Sequence, residues 1–269
     1  MKKKIFYINS EMNPFTSVSF QGKISVDLPL SLQNKGNDVR CLMPKYGFIS
    51  ERKYILREVI RLKQILFSYE DKDFECSAKS AFLPNSRLQV YFLENEEKFG
   101  DLNNLLFKSK NGRFLVDNDY RFSFYSLAAI KMLPNLFWYP NIIICNGWTS
   151  ALVPYLIKKL SLIDKNLSKI KTIFLTDSIN KDLVFDYKNF FINDETLDEI
   201  DAYNLNQLGC MFADKTIIID NNNNNNISGQ LMKTKIFKNS KTCTSISVDD
   251  SDENYLTLLN EIEDAIKSI

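Results

Sequence analysis

Gly22-Lys23 calls for a test of phosphate chemistry, because a glycine followed by a lysine at the head of a helix is how nucleotide loops cradle phosphates. That loop needs another glycine five residues earlier, and position 17 is Ser17. No Gly-x-Gly-x-x-Gly occurs in the chain, so no strand-to-helix turn carries the glycines that let a backbone close around a pyrophosphate. Histidine is absent altogether, which removes the commonest general base and the commonest metal ligand together. Five cysteines (Cys41, Cys76, Cys145, Cys210 and Cys243) are odd in number and form no Cys-x-x-Cys. They suggest neither a disulfide framework nor a zinc site and read as small buried hydrophobes. Asp194, Glu195, Asp198 and Glu199 could do acid–base work, but at the start of a helix they complement its dipole in solvent. No catalytic residue, metal ligand or cofactor is expected from these residues.

The charge balance narrows the partners. Lys+Arg number 34 against 33 Asp+Glu, a formal net charge of +1, so no strong field exists to collect nucleic acid or an anionic membrane. The start MKKKIFYINSE has a basic head, yet its apolar run Ile5–Ile8 is far short of the ~7–15 residues of an export signal. No apolar stretch approaches the ~20 residues of a membrane span. A cytoplasmic protein is expected.

The elements that must position any site alternate. Lys3–Asn9 has the continuous apolar character of a strand buried on both faces. Gly22–Lys35 has a helix-like apolar face, with Gly36 where a C-terminal cap belongs, and Asp38–Met43 returns as a strand. Arg57–Phe67, Glu75–Phe82 and Leu88–Leu93 are short strand-like runs separated by turn residues such as Pro84-Asn85; they predict a β-rich insertion or edge hairpins. Asp117–Leu133 predicts a long helix, Asn141–Cys145 a strand, Trp148–Leu160 a helix and Lys171–Leu175 a strand. A helix over Asp194–Phe212, a strand over Lys215–Ile219, a flexible Asn-rich loop near 221–229 and a docking helix over 252–269, with Leu256, Leu259, Ile262 and Ile266 inward, complete the chain. This alternation predicts an α/β fold: one Rossmann-like, doubly wound, mostly parallel sheet in a single domain spanning 1–269.

Several dispersed blocks go further. "SEMNPF", "LPLSLQNKGNDVRCLMPKYG", "VYFLEN", "DNDYRFSFYSLAAIKML" and "PNIIICNGWTSALVPYLIKK" resemble, in order and spacing, the N-terminal lobe of bacterial glycogen and starch synthases. The resemblance covers roughly residues 3 to 220. It implies one lobe of a two-lobed GT-B glycosyltransferase that moves glucose from ADP-glucose to an α-1,4-glucan. Carried over residue by residue, it implies substrate contacts for Asn118, Arg121, Asn146 and Trp148.

The same comparison shows departures. Where the family has a Lys-x-Gly-Gly-Leu-x-Asp core, this chain has Ser17, Ser19, Phe20, Gln21 and Lys23. The donor-phosphate lysine and the glycine pair are gone, and a phenylalanine in a glycine's place obstructs backbone approach to phosphate. Gly147 and Thr149 flank Trp148 where the family has Asp and His, and Asp177 stands in place of another histidine. The family's second lobe, which supplies most of the nucleotide site, is expected to be missing. Structural readings stand beside the functional ones: Asp117 as a helix cap, Arg121 paired with Asp117 four residues earlier, and Trp148 as a core aromatic at a strand-to-helix junction. Two functions follow from the resemblance. One is a glycogen/starch synthase lobe acting on ADP-glucose; the other is a non-catalytic module for an α-glucan, for a protein partner, or for self-association through the surface a second lobe would cover.

Overall fold

The computed structural model describes residues 2–69, 71–102, 104–177, 205–221, 243–248 and 252–269. Among the described residues ten strands form the sheet, in the order β10-β9-β8-β7-β1-β2-β6-β5-β3, with β4 paired to β5. They are β1 (Lys4–Ile8), β2 (Asp38–Pro44), β3 (Arg57–Glu58), β4 (Ile65–Tyr69), β5 (Lys72–Phe82), β6 (Gln89–Glu94), β7 (Ile142–Asn146), β8 (Lys171–Thr176), β9 (Lys215–Asn221) and β10 (Cys243–Val248). From β10 through β6 every pairing is parallel; β5 pairs antiparallel with β6, β3 and β4. The expected doubly wound, mostly parallel α/β sheet is present, and the β-rich insertion is its antiparallel edge.

Strand composition explains the layering. β1 and β7 are buried along nearly their whole length, as parallel strands with helices on both faces must be. β1 runs into α1 (Phe20–Asn34) and on to β2, while β7 runs into α5 (Val153–Leu160) and on to β8 in the other direction along the sheet. Right-handed crossovers therefore place α1 and α5 on opposite faces. The helix α3 (Asn118–Lys131) and α6 (Leu205–Phe212) pack with α5, and α7 (Asp252–Lys267) packs on α1 and β10. The short α2 (Glu51–Tyr54) and α4 (Leu133–Leu136) are single turns.

Several elements differ from the sequence-based expectation. Ser19 caps α1, its hydroxyl accepting from the Gln21 amide, so the helix starts at Phe20 instead of Gly22. Gly36 has φ +91°, a backbone that L side chains rarely adopt, and its amide bonds the Gln33 carbonyl as a helix-ending glycine does. The run 57–67 is broken: β3 stops at Glu58, Ile60–Leu62 form a 3-10 turn and β4 begins at Ile65. The expected helix from Trp148 begins as a 3-10 turn, Trp148–Ser150, and becomes α only at Val153, where Pro154 occupies the first turn, the position that tolerates a missing amide. Leu256 is 62% exposed and does not dock. The inward stripe of α7 is Leu258, Leu259, Ile262, Ala265 and Ile266, the wider spacing of a core-facing helix. Strand β10 had no counterpart in the sequence reading. The expected Asn-rich loop near 221–229, beyond Asn221, and the first part of the expected helix, 194–204 with its four carboxylates, lie outside the described residues.

Strand order reverses between β1 and β7, which are neighbours in the sheet although β2 follows β1 in sequence. At such a switch point the loops leaving the two strands diverge to opposite faces, and a crevice opens beyond their C-terminal ends.

Candidate functional site

A cavity of about 350 Å³ lies at that crevice. The loop after β1 and the first turn of α1 contribute Glu11, Val18, Ser19, Phe20 and Gln21. The turn after β7 contributes Trp148, the end of β8 contributes Asp177, and the segment between β6 and α3 contributes Phe107, Lys108 and Phe114.

Its anion-binding element is the start of α1, where free amides and the helix dipole favour negative charge. The amides of Ser19, Gln21 and Gly22 there are already engaged. Glu11 is buried, and its Oε2 accepts from both the amide and the hydroxyl of Ser19, each at 3.0 Å. The Ser19 hydroxyl accepts from the Gln21 amide at 3.2 Å. Burial pushes the Glu11 carboxyl above its usual range, against the Ser19 bonds that favour its charged form, and nearby Asp177 adds to the rise. The cap residue of α1 thus serves the chain's own Glu11 carboxyl.

Three departures from the family pattern meet in the cavity floor. The Gln21 Nε2 donates to Asp177 Oδ1 at 2.6 Å, and a Cβ built on Gly147 would lie 2.6 Å from Gln21 Oε1. Gly147 has φ +77° and ψ 170°, a region essentially confined to glycine. The Gln21 side chain therefore fills the space that a side chain at 147 would enter.

The wall is aromatic. Trp148 is 7% exposed and meets Phe122, Phe107 and Phe114 edge-on, with centroids 5.0, 5.1 and 6.1 Å apart. It is a core aromatic and a cavity-lining ring at once, because it stands where the strand ends and the crevice begins. Lys108 Nζ lies 5.1 Å over Phe114. Phe107 and Phe114 were not singled out from the sequence; the signal was two aromatics on either side of the polar turn Lys108–Arg113, in which Gly112 adopts φ +80°.

Asn118, Arg121 and Asn146 do not line the cavity. The Asn118 Nδ2 donates to the Phe107 carbonyl at 2.9 Å, while its Oδ1 is buried without a partner. Arg121 donates from Nη1 to the Lys98 carbonyl and from Nη2 to Asp117. Asp117 makes no side-chain cap bond, so the ion-pair reading of that residue holds and the cap reading does not. Together these two residues of α3 fasten the segment that carries Phe107 and Phe114 to the cavity. Asn146 ends β7, where its Nδ2 donates to Ser25 Oγ of α1 at 3.0 Å. Among the described residues no group of three His, Cys, Asp or Glu is placed to hold a metal. Burial pushes the Cys76 and Cys210 thiols up to about 12 and Cys243 to about 11, so they stay protonated and unreactive at neutral pH.

Comparison with known proteins places this geometry. A family model described as "Starch synthase catalytic domain" matches residues 4–234. A glycogen synthase of Chlorobium limicola is 32% identical over 187 residues, covering 70% of this chain and 38% of that protein. One of Chlorobium phaeovibrioides is 29% identical over 241 residues, covering 84% of this chain and 47% of that protein. The chain thus spans less than half the length of these relatives. Among solved structures, the catalytic domain of starch synthase IV from Arabidopsis thaliana, bound to ADP and acarbose, superposes with a TM-score of 0.70 at 20% identity. The match covers 92% of this chain and 52% of that one, and it supports the GT-B N-terminal-lobe fold. No helix among the described residues is long and apolar enough to cross a membrane.

Proposed function

Because the chain belongs to the starch synthase catalytic domain family, we propose that residues 1–269 form a single sugar-handling lobe which, acting alone, binds an α-glucan without transferring glucose to it. The observation that carries this reading is the start of α1. Glucosyl transfer from a sugar nucleotide must stabilise a leaving phosphate with preorganised positive charge or donors. Here the lysine position is Ser17, the glycine positions are Ser19 and Phe20, and the Ser19 amide and hydroxyl serve the buried Glu11 carboxylate. What remains suits an uncharged sugar: the Trp148 ring, with the Gln21 amide and the Asp177 carboxylate on the floor. Such a pairing of aromatic face and hydrogen-bonding groups is how concave sites take a polyol. Asn118, Arg121 and Asn146 support this site from behind.

A second reading, transfer of glucose from ADP-glucose, is favoured by the family membership itself and by the names of the relatives. A third role, contact with a partner protein or a second copy, draws on exposed apolar side chains, including Val116 at 99% and Val18 at 45%. A cytoplasmic location fits all three. Calorimetric titration with ADP-glucose and, separately, with a maltooligosaccharide decides among them. Heat with the maltooligosaccharide that is lost in Trp148→Ala, and none with ADP-glucose, is the expected result. Saturable ADP-glucose binding with measurable glucose transfer would overturn the non-catalytic reading.

A further inference from the structure

The helix α7 meets the cavity lining at Phe20, through Tyr255. The Tyr255 ring meets Phe20 edge-on, with centroids 5.9 Å apart at 74°. Lys23 Nζ lies 4.1 Å from the centroid of the same ring, and the Tyr255 hydroxyl donates to Asp27 Oδ2 at 2.8 Å. Two turns further along, Ser31 and Lys35 both bond the buried Glu263. Positions 20, 23, 27 and 31 of α1 and its capping residue Lys35 form one stripe, spaced by three and four residues, and every one of them is engaged by α7. Phe20 belongs both to that stripe and to the cavity lining.

Two of the clasp residues are departures from the family pattern, in which glycine stands at the place of Phe20 and aspartate at that of Lys23. Glycine has no ring to meet Tyr255, and a carboxylate over a tyrosine face would be repelled where an ammonium is attracted. The clasp is therefore written in this chain's own substitutions. We infer that Tyr255 is a positioning residue for the cavity: held by Lys23 and Asp27, it fixes Phe20 at the cavity wall, so that docking of the C-terminal helix sets access to Trp148. This goes beyond the proposed function and is independent of what the cavity binds.

The chain has two tryptophans, which supply a reporter and a control. Trp138 sits at the opposite end of the central strands, its Nε1 donating to Asp38 at the start of β2. Acrylamide quenching is measured in Trp138→Phe, which reports Trp148, and in Trp148→Phe, which reports Trp138. Adding Tyr255→Ala is expected to raise the quenching constant of Trp148 by about twofold or more, as local release of a packed ring does, and to leave that of Trp138 unchanged. Phe20→Ala should do the same, and the double substitution should add nothing to either single one. Tyr255→Phe, which keeps the ring, should leave Trp148 shielded. If Tyr255→Ala does not fold, Tyr255→Leu takes its place in the cycle. An unchanged Trp148 constant, an equal rise at both tryptophans, or full additivity of the two substitutions would overturn the inference.

Discussion

Replacing Gly147 with alanine tests whether the rebuilt cavity floor is a single unit. The backbone at φ +77°, ψ 170° strains any residue with a Cβ, at a cost of about 1–3 kcal/mol. The new methyl would also stand 2.6, 2.8 and 3.0 Å from Oε1, Nε2 and Cδ of Gln21. Those atoms are the end of a flexible side chain and can move, but moving them breaks the 2.6 Å bond to Asp177, a charge-assisted hydrogen bond worth about 1.5–3 kcal/mol. Gly147→Ala should therefore cost about 2.5–6 kcal/mol by the sum of these two terms. In a Gln21→Ala background only the backbone cost remains, so the cycle should show a coupling equal to the hydrogen-bond term, about 1.5–3 kcal/mol, within the range of residues in contact. Equilibrium urea unfolding of the four proteins measures this, provided the denaturant slope is shared. A cost for Gly147→Ala that is the same in both backgrounds would refute the claim that Gln21 fills this space.

Two further predictions concern the site's supports. Burial holds the folded-state pKa of Glu11 above its unfolded value, so between those two values the native state binds the extra proton and stability falls as pH rises. Glu11→Gln should flatten that fall and be at least as stable as the wild type at pH 7; thermal unfolding across pH 4.5–7.5 checks this, and a variant that loses more stability at pH 7 than at pH 4.5 would show the ionised form to be the preferred partner of Ser19. Arg121→Ala should cost about 1.5–3 kcal/mol, the range for hydrogen bonds to a charged group, because the Arg121 side chain is 15% exposed and bonds the Lys98 carbonyl. Asp117→Asn should cost less than about 0.5 kcal/mol, since Asp117 is itself half-exposed and its ion pair is screened by solvent; equal costs in the two variants would mean that the ion pair, and not the carbonyl bond, holds the segment.

The sequence by itself determined the layers and the direction of the sheet. Strands such as Ile142–Asn146, buried at every residue, carry the continuous apolar run that only a two-sided parallel strand needs, and that signal is local. The loss of the phosphate-binding groups was equally legible, because Ser17, Phe20 and Lys23 lie in one unbroken stretch with recognisable flanks. Boundaries were less so: Ser19 as the cap of α1 and the 3-10 turn at Trp148 depend on hydrogen bonds that composition does not encode. Tertiary structure alone decided what the substitutions are for. Gln21 and Asp177 are 156 residues apart in sequence and bond only because the switch point brings the ends of β1, β7 and β8 together. Phe20 and Lys23 read as damage to a motif until α7 folds back over α1 and gives both of them Tyr255 as a partner. Asn118 and Arg121, whose side chains a linear reading aimed at a ligand, are turned by the register of α3 toward the Phe107 and Lys98 carbonyls. Residue type is a property of the chain, whereas the partner of a buried polar group is a property of packing, and only the folded molecule assigns it.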